Sequence, residues 1–404
     1  MNKRQTDNLQ TILRQMERSR DSGDWQGMER FCRSGVMAGF QDEYLLRSLS
    51  WSLSKQRRFE ESFAIAQQNW QANPCAWSLT QYVEAAIGAG DWEEARKSAR
   101  NLSQNAAYWG DAARAAQGAL DSISAKTFTF TWTIDPSKDC FQKHNAPDIR
   151  VPLPRTGTLY QSATWEVKDA QTHRVEKLGE NECVRITPLG QRPFRLESRV
   201  TLTPYSYQKQ ATKASTVASY PEEVRRYQLK IKDADPGLPP ILAQARRLQG
   251  STPRASVENV LNWCNGNLRY IGDRGADGGG GNAEEVLKRG GGHCEGLTTG
   301  AVSLLKACGI PARYIRGHGA VVGSSGHGSW HTITEYYLSG IGWIPWDYNY
   351  EPFVVRPTYL STFHYDSPIA APGRGDRTVI DLWNYQALGA NCEFVSFRLV
   401  RSVI

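Results

Sequence analysis

The sequence predicts a multidomain α+β chain: an α-helical repeat over 1–124, an antiparallel β-sandwich over 125–208 and a mixed α+β core over 209–375. A C-terminal β segment, 376–404, is expected to pack on the core or the sandwich. Three observations carry this reading. An aromatic recurs at near-constant spacing in the first part, hydrophobic periodicity switches from 3.6 to 2 at Ala125, and a glycine run delivers Cys294 to an apolar helical segment. A chain of 404 residues has length for several cores.

In the first part Leu9, Ile12, Leu13 and Met16 begin a series of helical stripes. Trp25, Phe59 and Trp92 follow one another at intervals of 34 and then 33 residues, each in an aromatic–polar or aromatic–acidic context. That is the period of tetratricopeptide-type hairpins, in which an aromatic opens the second helix of each pair. The resemblance lies in the period and in Phe59-Glu60-Glu61-Ser62 and Trp92-Glu93-Glu94-Ala95. Stacked hairpins usually offer a concave surface to a protein or peptide, so a protein partner is expected there. The alternative is a helical cap that only packs on the rest of the chain.

From Thr127 to Ile134, Thr alternates with Phe128, Phe130, Trp132 and Ile134, as in a half-buried strand. Further runs at 149–153, 159–167, 183–187 and 194–204 are separated by Pro, Gly, Asn and Asp clusters, which predicts a sandwich. Tyr205 to Pro221, rich in Ser, Thr and Lys, reads as a linker. Helices are then expected over 221–231, 239–248 and 254–268. Four glycines at 278–281 lack a following Lys-Ser/Thr, which excludes a P-loop and leaves a loop beside the cleft. Asn282 is placed to cap a short helix, Ala283–Lys288.

Leu297, Ala301, Leu304, Leu305 and Cys308 continue the segment after Cys294 at helical spacing, and Gly309 and Pro311 end it. A thiol at a helix N-terminus meets unpaired N–H groups and the positive end of the helix dipole, both of which favour the thiolate. Downstream, His331–Leu338 and Ile341–Asp347 alternate around Ser339-Gly340. A three-residue loop of 338–340 would set His331 directly opposite Asp347 on one face. An imidazole facing a carboxylate is the arrangement that orients a general base. With Cys294 packed against the hairpin, the expected catalytic residues are Cys294, His331 and Asp347.

Residues 258–350 resemble the core of the transglutaminase-like superfamily of papain-like cysteine enzymes, bacterial type. The motifs are Gly-Gly-Gly-His-Cys-Glu-Gly at 290–296, the run from Leu304 through Gly309-Ile310-Pro311-Ala312-Arg313 to His318, His331 with Glu335, and Gly-Trp-Ile-Pro-Trp-Asp at 342–347. Val-Pro-Leu-Pro at 151–154 resembles the sandwich that often precedes this core. Two departures flank the cleft: Ile333 where the family commonly has Trp, and Tyr348 where it has Pro. The resemblance implies acyl transfer through a thioester acyl-enzyme. Hydrolysis of a peptide or amide stands first. An amide-forming acyltransferase with an amine acceptor, drawing on an acyl-thioester donor, is the alternative, and a non-catalytic protein-binding scaffold is the second.

Tyr270, His318, Trp330 and Trp346 are the expected substrate-binding residues, and the oxyanion donors are expected to be the Cys294 N–H and one group from 265–271. His293 reads as a surface residue or one behind the nucleophile, Glu335 as a structural partner too far along its strand for the imidazole, and His327, Asp366, Asp376 and Asp381 as outside the hairpin logic. No metal or other cofactor is expected, since the eight cysteines are scattered without a C-x-x-C pair. Scattered thiols fit a reducing compartment, and the N-terminus shows no apolar signal segment, so the expected location is cytoplasmic. A formal charge of +7 without a dense basic block singles out neither nucleic acid nor membrane.

Overall fold

The computed structural model describes residues 3–104, 110–138, 148–178, 180–212, 220–231, 233–271, 282–319, 330–348, 350–356, 359–364, 379–381 and 395–401. The glycine loop at 278–281, the Gly/Ser loop with His327, and Asp366 and Asp376 lie outside them, as do Cys140 and Cys392. Two compact units are present: one is 1–124 with 206–209, the other is 125–205 with 210–404.

Among the described residues the first unit is three helix pairs and a closing helix: α1 (Lys3–Asp21), α2 (Trp25–Met37), α3 (Glu43–Lys55), α4 (Phe59–Ala72), α5 (Ala76–Gly88), α6 (Trp92–Gln104) and α7 (Asp111–Ser122). Trp25, Phe59 and Trp92 are the first residues of α2, α4 and α6. Two residues before each, the chain turns through a left-handed residue: Gly23 (φ +74°), Arg57 (φ +60°) and Gly90 (φ +76°). The repeat is therefore a turn geometry as well as a hydrophobic stripe. Met16, Met28, Cys32, Leu45, Leu49 and Leu53 form a core inside it.

In the second unit, β1 (Lys126–Ile134), β2 (Asp148–Pro152), β3 (Gln161–Lys168), β4 (Ala170–Leu178), β5 (Asn181–Pro188) and β6 (Phe194–Leu202) make two sheets. Phe128, Phe130, Trp132 and Ile134 of β1 pack with Ile149, Val151, Val184, Ile186, Phe194, Leu196 and Val200 between them. The sequence pattern had no strand at β4. Its residues are polar and largely exposed, so no apolar alternation marks it.

The core comprises α8 (Pro239–Leu248), α9 (Pro253–Asn267), β7 (Arg269–Tyr270), α10 (Ala283–Arg289), β8 (Gly291–Gly292), α11 (Cys294–Ala307), β9 (Ala312–Gly319), β10 (Trp330–Leu338), β11 (Gly342–Trp346) and β12 (Tyr359–His364). The antiparallel sheet runs β11-β10-β9-β12, and α11 packs on β10 and β9. The C-terminal segment returns to the sandwich: β13 (Val379–Asp381) pairs in parallel with β2, and β14 (Val395–Arg401) pairs antiparallel with β1. The expected helix over 221–231 is shorter, a turn at Glu222–Arg225 followed by a 3-10 turn at Arg226–Gln228. The Tyr227 hydroxyl there bonds Glu180, and its ring stacks under Arg313.

Sandwich and core are joined by a buried charge network. The Arg313 Nε donates to Glu335 Oε2 at 2.8 Å, Arg155 Nη1 donates to Glu335 Oε1 at 2.9 Å, and Arg313 also reaches Glu180. The Arg313 guanidinium lies 3.8 Å from the centre of the Trp343 ring. Burial alone would lower the pKa of both arginines, but Glu335 and Glu180 hold them charged. Glu335 is 1% exposed, so removing its carboxylate takes an ion partner from two desolvated cations and leaves Arg313 only Glu180. Glu335→Ala is expected to cost about 3–5 kcal/mol, read as a fall in the melting temperature of the second unit. An unchanged melting temperature contradicts this assignment.

Candidate active site

Cys294 is the first residue of α11, and three local features bring it there. Gly290 caps α10 in the left-handed region (φ +71°). Gly291 and Gly292 then pair in parallel with Arg269 and Tyr270. A Cβ on Gly291 would lie 2.2 Å from the Arg269 carbonyl oxygen, so glycine is required for that approach. His293 is the N-cap, its Nδ1 accepting from the Glu295 N–H at 3.1 Å. Its ring is thus engaged by the helix start and not by the surface alone. Cys294 is half-buried.

His331 comes from β10, where its cross-strand neighbour is Gly317, so no β9 side chain stands directly opposite the imidazole. Asp347 follows the last residue of β11. The hairpin register differs from the expected one. Leu338 pairs with Gly342 and Thr334 with Trp346, so the loop is 339–341 and Asp347 falls across from Ile333. Gly340 (φ +83°) and Gly342 (φ +105°) both take left-handed conformations, which moves the turn one residue later than the pattern implied. The resulting shift is by two residues, and an even shift leaves side chains on their original face. The imidazole spans the diagonal: Nε2 lies 2.9 and 3.0 Å from the two carboxylate oxygens of Asp347.

With Nε2 turned to Asp347, the other ring nitrogen remains for Cys294, which also acts on the imidazole. Burial alone would lower the His331 pKa. The bond to Asp347, the bond to Cys294 and the negative charge of both outweigh it and raise it to about 10. At neutral pH the arrangement favours an imidazolium between a carboxylate and a sulfur. By contrast, burial pushes the Cys264 thiol up to about 12 and the Cys308 thiol up to about 11. Those two cysteines of the same unit are packing residues.

A cleft of about 290 Å³ opens over the sulfur, lined by Tyr270, Leu297, Thr298, Trp346, Tyr348 and Tyr350, with His331 and Asp347 on its wall. Tyr270 is 57% exposed at its rim, and Trp346 is buried, with its indole N–H donating to the Tyr350 carbonyl at 3.0 Å. His318 and Trp330 are paired at the far end of β9 and β10, and their side chains lie outside the described residues. Glu335 turns its carboxylate to Arg155 and Arg313. Asp381 sits on β13 in the sandwich.

Of the segment expected to supply an oxyanion donor, the amides of 268, 269 and 271 are used elsewhere. They donate to Cys264, Gly290 and Gly292. The first closes α9 and the other two hold the β7–β8 pair, so these three amides provide no donor to the cleft. Nothing local in the sequence assigns Leu297, Thr298 or Tyr350 to the cleft that they line. Thr298 stands one helical turn after Cys294, a spacing that places both on one face. Tyr348 had been singled out as a departure from the family pattern, and its hydroxyl donates to the Leu268 carbonyl, closing one side of the cleft. No group of His, Cys, Asp and Glu among the described residues could hold a metal ion, and no helix among them is long and apolar enough to cross a membrane.

Residues 242–348, the segment that carries all three side chains, match the family model of the transglutaminase-like superfamily. This segment is a transglutaminase-like core. No curated protein matches the chain. Among solved structures, a candidate cysteine protease from Cytophaga hutchinsonii has 14% identity and a TM-score of 0.40, covering 69% of this chain and 89% of its own. The periplasmic domain of TgpA from Pseudomonas aeruginosa, bound to ethylmercury, has 18% identity and a TM-score of 0.30, covering 56% of this chain and 90% of its own. The TPR2B domain of yeast Sti1, in complex with pHsp70, has 12% identity and a TM-score of 0.24, covering 28% of this chain and 97% of its own.

The raised His331 pKa makes the transglutaminase-like core sensitive to alkali. The charged imidazole stabilises the fold fully below about pH 6.5, its unpaired value, and that contribution is lost as pH rises through about 10. Melting temperatures taken between these limits should fall for the wild type, and the fall should be smaller for Asp347→Asn. Parallel curves would remove the claim that His331 is charged in the folded state.

Proposed function

We propose that this protein is a cysteine-nucleophile acyl-transfer enzyme that hydrolyses a peptide or amide bond through a thioester acyl-enzyme. The observation that carries the reading is the imidazole of His331 hydrogen-bonded to Asp347 at 2.9 Å in the same cleft as Cys294. Asp347 fixes the ring and stabilises its charged form. In the free enzyme the proton already rests on His331, and the sulfur of Cys294 attacks the substrate carbonyl carbon to form a C–S bond. As the tetrahedral species collapses, the C–N bond breaks and the amine leaves with the proton carried by His331. Water then attacks the thioester carbonyl with its proton passing to His331. The C–S bond breaks, the acid departs and the proton stays on His331 beside the freed sulfur.

The Cys294 amide at the start of α11 is the group we assign to the developing oxyanion, where the helix dipole adds its field. Water is the preferred acyl acceptor because it requires no second binding site.

Incubation with peptide and amide substrates, with products weighed by mass spectrometry, tests the reaction. Cys294→Ala and His331→Ala should each abolish turnover, and Asp347→Asn should lower it roughly 10²–10⁴-fold. Free acid as the product supports hydrolysis. Exclusive transfer to an added amine contradicts it, and turnover retained without Cys294 contradicts the nucleophile.

A further inference from the structure

Nucleophile and base come from different elements, so their separation depends on how α11 meets β10. A buried hydroxyl sits at that junction. Thr298 Oγ1 lies 2.8 Å from the Cys294 carbonyl oxygen and 3.0 Å from the Thr332 carbonyl oxygen. The first carbonyl belongs to the nucleophile's own residue. The second lies on the residue immediately after the base. Thr298 is 4% exposed and lines the cleft, so its hydroxyl, and not bulk water, supplies the shared hydrogen.

We propose that Thr298 is a positioning residue, its hydroxyl setting the distance between Cys294 and His331. The inference rests on the reading of these two side chains as nucleophile and base. One hydroxyl carries one hydrogen, so the two carbonyls share it in a three-centre bond. That hydrogen draws the main chain at Cys294 and the main chain beside His331 toward a common point. The back-bond to the residue four positions earlier is an ordinary habit of threonine in helices. The second acceptor, on another element and next to the imidazole, is not part of that habit. Threonine also has few side-chain rotamers, so the point is held with little freedom.

Thr299, next along the helix, repeats the device at a different place. Its hydroxyl bonds the Glu295 carbonyl at 2.8 Å and the Tyr314 hydroxyl at 3.0 Å. It anchors α11 to β9, away from the imidazole, and so provides a matched control for helix anchoring alone.

The test is the rate at which iodoacetamide alkylates Cys294, followed on its own peptide by mass spectrometry from about pH 5 to about pH 10. Wild type, Thr298→Val, Thr298→Ser, Thr299→Val and His331→Ala are compared in the full chain, with melting temperatures recorded alongside. Thr298→Val keeps the shape and removes the hydroxyl. Its alkylation rate below neutral pH should fall roughly tenfold to a hundredfold, and its profile should move toward that of His331→Ala. Thr298→Ser, which keeps the hydroxyl, should restore the wild-type profile, and Thr299→Val should keep that profile even with a lower melting temperature. If the valine variant unfolds, Thr298→Ala replaces it at a temperature below its own transition. A wild-type profile in a folded Thr298 variant without the hydroxyl overturns the proposal. A wild-type profile in His331→Ala overturns instead the pairing on which it rests.

Discussion

An imidazole caught between a carboxylate and a sulfur is the interaction on which the core's arrangement depends. His331 is largely withdrawn from solvent, where a positive charge is disfavoured, and only its two partners reverse that preference. Each partner is delivered by a separate backbone device. Asp347 is carried to the end of β11 by a hairpin whose turn is set by two left-handed glycines. Cys294 is carried to the head of α11 by a pair of glycines pressed against Arg269 and Tyr270. The local sequence is rich in glycine because close backbone approach, and not flexibility as such, is what these positions require.

The same strand carries a second charged system with a different purpose. Glu335, four residues after His331, faces Arg313 across the sheet and meets Arg155 from the sandwich. One strand thus supports an ionic group on the cleft wall and a buried one at the junction with the sandwich. The buried network leaves no freedom for the sandwich to slide on the sheet without uncovering a charge, so it serves as a register for sandwich and core. The return of β13 and β14 to the two sandwich sheets adds a further tie, since the chain passes through the core between its early and late strands.

The legible parts were those with local signatures. Helix periodicity around Trp25, Phe59 and Trp92, strand alternation in Thr127–Ile134, and the glycine run before Cys294 all speak within a few residues of themselves. The hairpin could be recognised from its turn, but its register could not, because choosing between loops of 338–340 and 339–341 depends on which glycines turn left-handed. The face survived that error only because the slip was even. The Arg155–Glu335 contact joins residues 180 apart, and no local pattern announces such a pair. Strand β4 was invisible because an exposed edge strand has no reason to alternate. Thr298 lay within reach of helical spacing, yet its second acceptor, Thr332, is set by tertiary packing alone.

The most direct measurement of the central claim is an NMR pH titration of the His331 ring nitrogens, in the wild type and in Cys294→Ala and Asp347→Asn. In the wild type the ring should remain an imidazolium through neutral pH and lose its proton near pH 10, and each variant should lower that point toward the ordinary histidine value of about 6.5. A wild-type midpoint near 6.5, unmoved by either substitution, would contradict the account.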